Sequence, residues 1–186
     1  MNTLQDYIKV FDNVIPKKLC DKIISTTKNS KIWTPTVVGK RAIIDKSVRN
    51  VDIISISKKQ LQNQHPILKE LDEELFKCSL SAIKHYKSNF KQLEISNDTG
   101  YDLLRYSQGC FYREHVDSFL QRPRTVSCSF ILNDDYEGGE FAFFNRDIQI
   151  KPSAGSALMF PSNFMYPHEV MPVLSGSRYS IITWFV

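Results

Sequence analysis

The feature that most constrains this chain is a change of texture near residue 97. From there to the C-terminus, turn signals recur about every ten residues: Asn97-Asp98-Thr99-Gly100, Gln108-Gly109, Asn133-Asp134-Asp135, Gly138-Gly139, Asn145-Arg146-Asp147, Ser153-Ala154-Gly155 and Ser175-Gly176. Gly, Asn and Asp accept the tight and left-handed backbone that the interior of a strand refuses. The segments between these breaks are short for stable helices and suit strands. Residues 97–186 therefore predict an all-β sandwich or barrel.

The preceding residues read differently. Tyr7–Val14 predicts a first strand. Pro16 then suits the opening turn of a helix whose Leu19, Ile23 and Thr27 recur at helical spacing. Trp33–Ser57 is rich in β-branched residues broken by Gly39 and predicts strands and loops. Pro66 to about Tyr86 is the clearest helix, with Leu68, Leu71, Leu75, Cys78, Ala82 and Tyr86 on one apolar stripe. Helices first and strands after give a mainly β fold with supporting helices. One domain over 1–186 is expected, with a helical and strand support over about 1–96 and a β core over about 97–186.

At 186 residues and 42% hydrophobic the chain can bury a core, and it is too rich in apolar residues for disorder. No apolar stretch approaches membrane-spanning length. MNTLQDYIKV has neither a basic head nor a signal-length apolar run, which predicts a cytoplasmic protein. The net charge of +4 is compatible with an anionic partner but reads first as solvated surface. Cys20, Cys78, Cys110 and Cys128 form no CxxC pair, so buried reduced thiols are expected rather than a zinc ribbon.

Four histidines bound the chemistry. His65 and His85 flank the long helix and read as helix-terminal or surface residues. His115 begins His115-Val116-Asp117, which a strand would present on one face. His168 lies in a second strand-like stretch and is expected to meet that pair across two packed sheets. Two imidazoles and a carboxylate leave half a coordination sphere open, as non-haem Fe(II) requires; zinc accepts the same ligands. Arg178 follows the turn Leu174–Ser177 and opens the apolar strand RYSIITWFV, which holds no acidic partner for it. A guanidinium buried there calls for an external anion, and a dicarboxylate cosubstrate would supply one.

These residues resemble the iron(II)- and 2-oxoglutarate-dependent dioxygenases, in their prolyl-4-hydroxylase-like branch. The resemblance runs through Leu103–Gly109, Tyr112–Asp117, Arg124–Ser127, Leu132-Asn133, Gly138–Phe141, Pro152, Gly155, Leu158–Pro161, His168–Val170, Pro172-Val173, Gly176, Arg178 and Trp184. It implies a double-stranded β-helix (jelly-roll) with Fe(II) on His115, Asp117 and His168. Arg178 would pair with the distal carboxylate of 2-oxoglutarate. Tyr106 would donate to the cosubstrate, Tyr112 would line its pocket, and Ser180 would add a hydroxyl. O2 is the second cosubstrate and ascorbate the expected reductant.

The implied reaction is hydroxylation of an unactivated C–H bond, with succinate and CO2 released. The expected substrate is a prolyl residue in a peptide or protein, facing Arg124 and Trp184. The Trp33–Lys46 excursion, with Pro35, Gly39 and Lys40, suits a closing lid. Asp117 favours hydroxylation over halogenation, since halogenating relatives lack that carboxylate. Arg178 stands where secreted collagen-modifying members carry Lys, and Ile131 where oxygen-sensing animal members carry Tyr. Two rivals are a nucleic-acid dealkylase, whose RxNxTxR ending this chain lacks, and a catalytically silent β-helix binding module. Neither a membrane nor nucleic acid is expected as partner, and the sequence does not indicate an oligomeric state.

Overall fold

The computed structural model describes residues 3–39 and 42–186. The chain runs β1 (Lys9–Phe11), α1 (Lys17–Thr27), β2 (Thr34–Pro35), β3 (Arg49–Asn50), β4 (Asp52–Ser55), α2 (Lys59–Gln64) and α3 (Ile67–Asn89). Then come β5 (Asp102–Ser107), β6 (Phe111–His115), β7 (Val126–Ile131), β8 (Glu137–Gly138) and β9 (Phe141–Phe143). The last elements are β10 (Ile148–Ile150), β11 (Ala157–Pro161), β12 (His168–Val170), β13 (Val173–Ser175) and β14 (Ser177–Phe185).

The expected mainly β architecture is present. A seven-stranded sheet has the order β1-β11-β7-β14-β5-β4-β2, and a five-stranded sheet the order β10-β9-β12-β6-β3. All pairings are antiparallel. Two apolar clusters fill the molecule. One seats α1 and α3 on the outer face of the larger sheet through Leu19, Ile23, Leu71 and Leu75 against Leu103, Phe130, Ile181 and Phe185. The other lies between the sheets and includes Leu104, Tyr106, Ile131, Phe143 and Phe160. The alternation of β14 makes this division: Tyr179, Ile181 and Phe185 face the helices, whereas Arg178, Ser180, Ile182 and Trp184 face the intersheet cavity.

α3 buries the stripe that the sequence predicts, with Leu68, Leu71, Leu75, Cys78, Ala82 and Tyr86 all inside. Fully burying each leucine contributes about 1.5–3 kcal/mol, so an acidic residue at Leu75 would undock the helix. α1 follows Pro16, which stands at its N-cap. α2 is not announced by the sequence, since Leu61 is its one apolar residue and it buries none.

Some expectations need correction. The strand expected over Tyr7–Val14 shrinks to Lys9–Phe11, because a 3-10 turn precedes it and Asn13 takes φ +56 just after it. The Val14 and Ile15 amides then donate to the Gly155 carbonyl instead of extending a ladder. His65 caps the end of α2, and His85 lies 5.7 Å from the Phe11 ring. Of the expected lid, Lys40 lies outside the described residues; Val38 and Ile43 form an antiparallel bridge on either side of it. The four cysteines are free, and Cys20, Cys78 and Cys128 are buried. No described helix is long and apolar enough to cross a membrane.

Candidate active site

β6 and β12 are neighbours in the smaller sheet, and their register sets His115 directly opposite His168. The expectation that the histidines meet across two packed sheets is therefore corrected: they share one sheet. Asp117 is also not part of the strand. β6 ends at His115, and Asp117 sits in the bend that follows, buried to 4% exposure. That bend carries its carboxylate across to the larger sheet, where the Ser127 hydroxyl donates to Asp117 Oδ2 at 2.7 Å. Ser162 lies 2.8 Å from Ser127 and continues the chain of hydroxyls.

The three side chains converge. His115 Nε2 is 3.5 Å from Asp117 Oδ1, and His168 Nε2 is 3.6 Å from Oδ2. One donor atom from each of the three lies within 4.8 Å of the others. Each imidazole is aimed by its other nitrogen: Nδ1 of His115 bonds the Arg113 carbonyl at 2.9 Å, and Nδ1 of His168 the Tyr166 carbonyl at 3.0 Å. Nδ1 thus keeps the proton and Nε2 presents a lone pair, the arrangement that a metal-binding histidine needs. Burial, helped by His115, pushes His168 down to about 4. Burial opposes the charge on Asp117, but the two histidines and Ser127 outweigh it and hold the carboxyl well below its usual range. A neutral His168 and an ionised Asp117 are ready to bind a divalent cation without losing a proton.

The opposite wall comes from β14 and β5, paired so that Arg178 faces Tyr106. Arg178 is 1% exposed. Its Nη1 donates to Ser180 Oγ at 2.9 Å and Tyr136 lies close enough to interact with the guanidinium, while Nε and Nη2 form no hydrogen bond of ordinary geometry among the described residues. The rings of Phe141 and Tyr106 lie 4.8 and 5.0 Å from its carbon Cζ. Room for this side chain depends on Gly139: at φ +68, a Cβ there would stand 3.0 Å from Arg178 Cδ. Burial raises the Tyr106 phenol above its ordinary value although Arg178 opposes it, so Tyr106 remains an O–H donor.

A cavity of about 590 Å³ joins the two walls and includes His115, Asp117, His168, Tyr106, Tyr112, Arg178 and Ser180 in its lining. That volume falls in the range of small-molecule sites. Tyr112 lines it while stacked on His115, with ring centroids 3.6 Å apart. Arg124 and Trp184 line it as well, tied to each other rather than free. The Arg124 guanidinium lies 3.4 Å over the indole and donates to the Asp117 carbonyl at 2.9 Å. Ile131 is fully buried in the apolar wall. Residues Thr34–Gly39 of the expected lid border the same cavity, whereas Trp33 is anchored by a 2.8 Å bond to the Thr27 carbonyl.

The donor set fits Fe(II), and the two unpaired donors of a buried guanidinium fit a carboxylate, so both implied groups suit the residues present. Ser127 and Arg49, which complete the surroundings, escaped the sequence reading. Ser127 had a signal: Ser127 and Ser129 alternate in the otherwise apolar strand VSCSFI, marking its cavity face. Arg49 had none.

Comparison with known proteins agrees with this geometry. Residues 101–186 match the 2OG-Fe(II) oxygenase superfamily. Human prolyl 3-hydroxylase 2 is 39% identical over 104 residues, which are 50% of this chain and 14% of that protein. A PKHD-type hydroxylase from Idiomarina loihiensis is 35% identical over 86 residues, 43% of this chain and 38% of the relative. The chain thus spans less than half the length of these curated relatives. Among solved structures, a Trichoplax adhaerens prolyl hydroxylase in complex with a hypoxia inducible factor peptide fragment superposes with TM-score 0.78 at 20% identity, covering 96% of this chain and 83% of that one. A viral collagen prolyl hydroxylase from Paramecium Bursaria Chlorella virus-1, in its 2OG complex, gives TM-score 0.72 at 18% identity, covering 99% and 98%. The fold is that of jelly-roll 2OG oxygenases.

Proposed function

We propose that this chain, a prolyl-4-hydroxylase-like member of the 2OG-Fe(II) oxygenases by its residues 101–186, hydroxylates a prolyl residue in a peptide or protein. One observation carries the reading: a buried Arg178 with two unpaired donors faces a His-Asp-His triad across one cavity. A structural arginine would have found an internal anion, and a plain metal site would need no arginine.

His115, Asp117 and His168 would hold Fe(II), and Arg178 would take the distal carboxylate of 2-oxoglutarate, with Ser180 steadying the guanidinium. Iron bound there would supply O2 activation coupled to decarboxylation of 2-oxoglutarate, so that substrate C–H, 2-oxoglutarate and O2 yield C–OH, succinate and CO2. The chain's own work is placement. Ser127 holds one oxygen of Asp117, and the carbonyls of Arg113 and Tyr166 aim the imidazoles. Tyr106 donates to the cosubstrate from the wall, and Phe143 and Phe160 pack around His168 and exclude water. Asp117 keeps the third protein ligand in place, which supports hydroxylation rather than halogenation.

The prolyl substrate is supported by the named relatives and by a cavity mouth bordered by Val37, Phe119 and Trp184. The N-terminal support and the β core work as one unit in this reading, since β1, β2 and β4 complete the larger sheet. Free cysteines accord with a cytoplasmic setting.

The test is succinate formation with Fe(II), 2-oxoglutarate and ascorbate as reductant, first without substrate and then over a proline-peptide array and alkylated oligonucleotides. Hydroxylated peptides are the expected product. Dealkylated oligonucleotide would replace the peptide reading, and no succinate under any condition would leave a binding module. Replacing His115, Asp117 or His168 by Ala should abolish succinate formation and divalent-metal binding together.

A further inference from the structure

Resting on the peptide-hydroxylase reading, this inference concerns the end of the cavity away from Arg178. Along β14 the cavity-facing residues run Arg178, Ser180, Ile182, Trp184, so Trp184 stands roughly 20 Å from Arg178 at the strand rise. Among the described residues, the Arg, Lys, Asp and Glu side chains lining the cavity are Arg49, Arg122, Arg124 and Arg178 against Asp102 and Asp117. Asp117 is committed to the metal and Arg178 to the cosubstrate, and a divalent cation and a dianion cancel. Three guanidinium groups against the single carboxylate of Asp102 remain for the primary substrate. The space left to that substrate is positive.

Two of the three arginines are held in place. Arg49 lies opposite Tyr112 in the β3–β6 register, with its guanidinium 4.4 Å over that ring, and Tyr112 in turn stacks on His115. Arg49 Nε is buried without a hydrogen-bond partner among the described residues. Arg124 approaches from the other sheet, laid on Trp184 and bonded to the Asp117 carbonyl. The arginines that form ion pairs are others: Arg105 with Asp52 and Arg146 with Glu169. Burial pushes Asp102 up, against the pull of Ser55, Arg49 and Arg124, yet it forms an ion pair with neither arginine. Guanidinium groups fixed on aromatic faces lose little freedom on binding a planar anion.

We propose that Arg49 and Arg124 form an anion subsite that reads a side-chain carboxylate, Asp or Glu, beside the oxidised residue of the peptide substrate. Arg49, not singled out by the sequence, is the specificity-determining residue, since Arg124 also serves the Asp117 bend.

The experiment uses a pool of randomised seven-residue peptides centred on proline, with products identified by mass and sequence. Wild-type products should be enriched in Asp or Glu at one flanking position by roughly tenfold, the worth of one charge-assisted pair. Arg49→Gln should remove the enrichment, Arg49→Lys should keep part of it, and Arg49→Glu should turn it toward Lys or Arg. Selection is read only from turned-over peptides, so a variant that fails to fold cannot imitate the result. Arg124→Gln is the second variant and should weaken the same preference. Hydroxylation without acidic bias, or an unchanged bias in Arg49→Gln, would overturn the subsite and leave the hydroxylase reading standing. An unmodified pool with an alkylated oligonucleotide turned over would overturn both, assigning the positive mouth to phosphate.

Discussion

Replacing Arg178 by Met separates what this residue does for the fold from what it does for a ligand, because the two effects have opposite signs. Within the chain the guanidinium is a liability: it is 1% exposed, and although Tyr136 lies close enough to interact with it, Nε and Nη2 form no hydrogen bond of ordinary geometry among the described residues. Each stranded donor costs about 1–3 kcal/mol, so removing both returns about 2 kcal/mol at the low end. The lost bond to Ser180 takes back about 1 kcal/mol, and methionine fills most of the space among Tyr106, Phe141 and Gly139. The ligand-free variant should therefore be more stable by about 1 kcal/mol or more. For a chain of this length that raises Tm by about 2–4 °C. Toward 2-oxoglutarate the sign reverses. A distal carboxylate buried without its cation loses about 3–5 kcal/mol, or two to three and a half decades of affinity. The assay is thermal unfolding with Mn(II), with and without 2-oxoglutarate. A concentration 100 times the wild-type Kd stabilises the wild type by about 2.7 kcal/mol, while a hundredfold weaker variant gains about 0.4 kcal/mol. A ligand-free Arg178→Met protein that melts below wild type would refute the account of the stranded guanidinium. A full 2-oxoglutarate shift in the variant would refute the cosubstrate assignment.

Ser127→Ala removes the donor to Asp117 Oδ2 and should weaken Mn(II) binding by roughly 10–100-fold with the fold intact, read by calorimetry; unchanged affinity would mean the carboxylate is held without Ser127. Gly139→Ala places a Cβ 3.0 Å from Arg178 Cδ and from Tyr136 Cε2 at a left-handed φ, so it should lower both Tm and 2-oxoglutarate affinity, and an unaltered titration would show that the guanidinium tolerates the push. Burial raises all four thiols, Cys20 to about 11, but only Cys110 keeps part of its surface exposed. At pH 8 an aromatic disulfide should therefore modify the partly exposed Cys110 first and the other three only on unfolding; early loss of Cys128 would contradict the burial of this β7 residue in the apolar cluster it shares with α3.

The sequence made the fold class legible because period-2 and period-3.6 patterns survive burial. The stripe from Leu68 to Tyr86 and the alternation of Arg178, Ser180, Ile182 and Trp184 are direct records of which face meets the core. The candidate ligand set was legible for a different reason. Polar and ionisable residues such as His115, Asp117, His168 and Arg178 are costly to place beside apolar strands, and they persist there only for a partner. Their geometry was less legible. His-x-Asp reads as strand alternation, yet the bend after His115 carries Asp117 out of the sheet toward Ser127. That reach depends on a contact ten residues away, which spacing does not encode. The two histidines fall on adjacent strands because β12 pairs with β6 and β9 rather than with its neighbours in sequence, β11 and β13, a matter of topology rather than pattern.

Arg49 shows where pattern reading stops. It lies in a two-residue strand at the edge of the smaller sheet, flanked by Val48 and Asn50, with no periodicity long enough to place its side chain. Only the pairing with Tyr112 brings it over a ring that itself stacks on His115. The paired strands β3 and β6 therefore carry both a candidate metal ligand and, through Tyr112, a guanidinium at the mouth. The larger sheet repeats the arrangement from its own side, with Ser127 bonded to Asp117 and Trp184 beneath Arg124. In the proposed reading, each half of the sandwich contributes one hold on the candidate metal ligands and one cation toward the substrate. A substitution that shifts the sheets relative to each other should thus disturb metal affinity and substrate selection together, whereas one confined to Arg49 should alter selection alone.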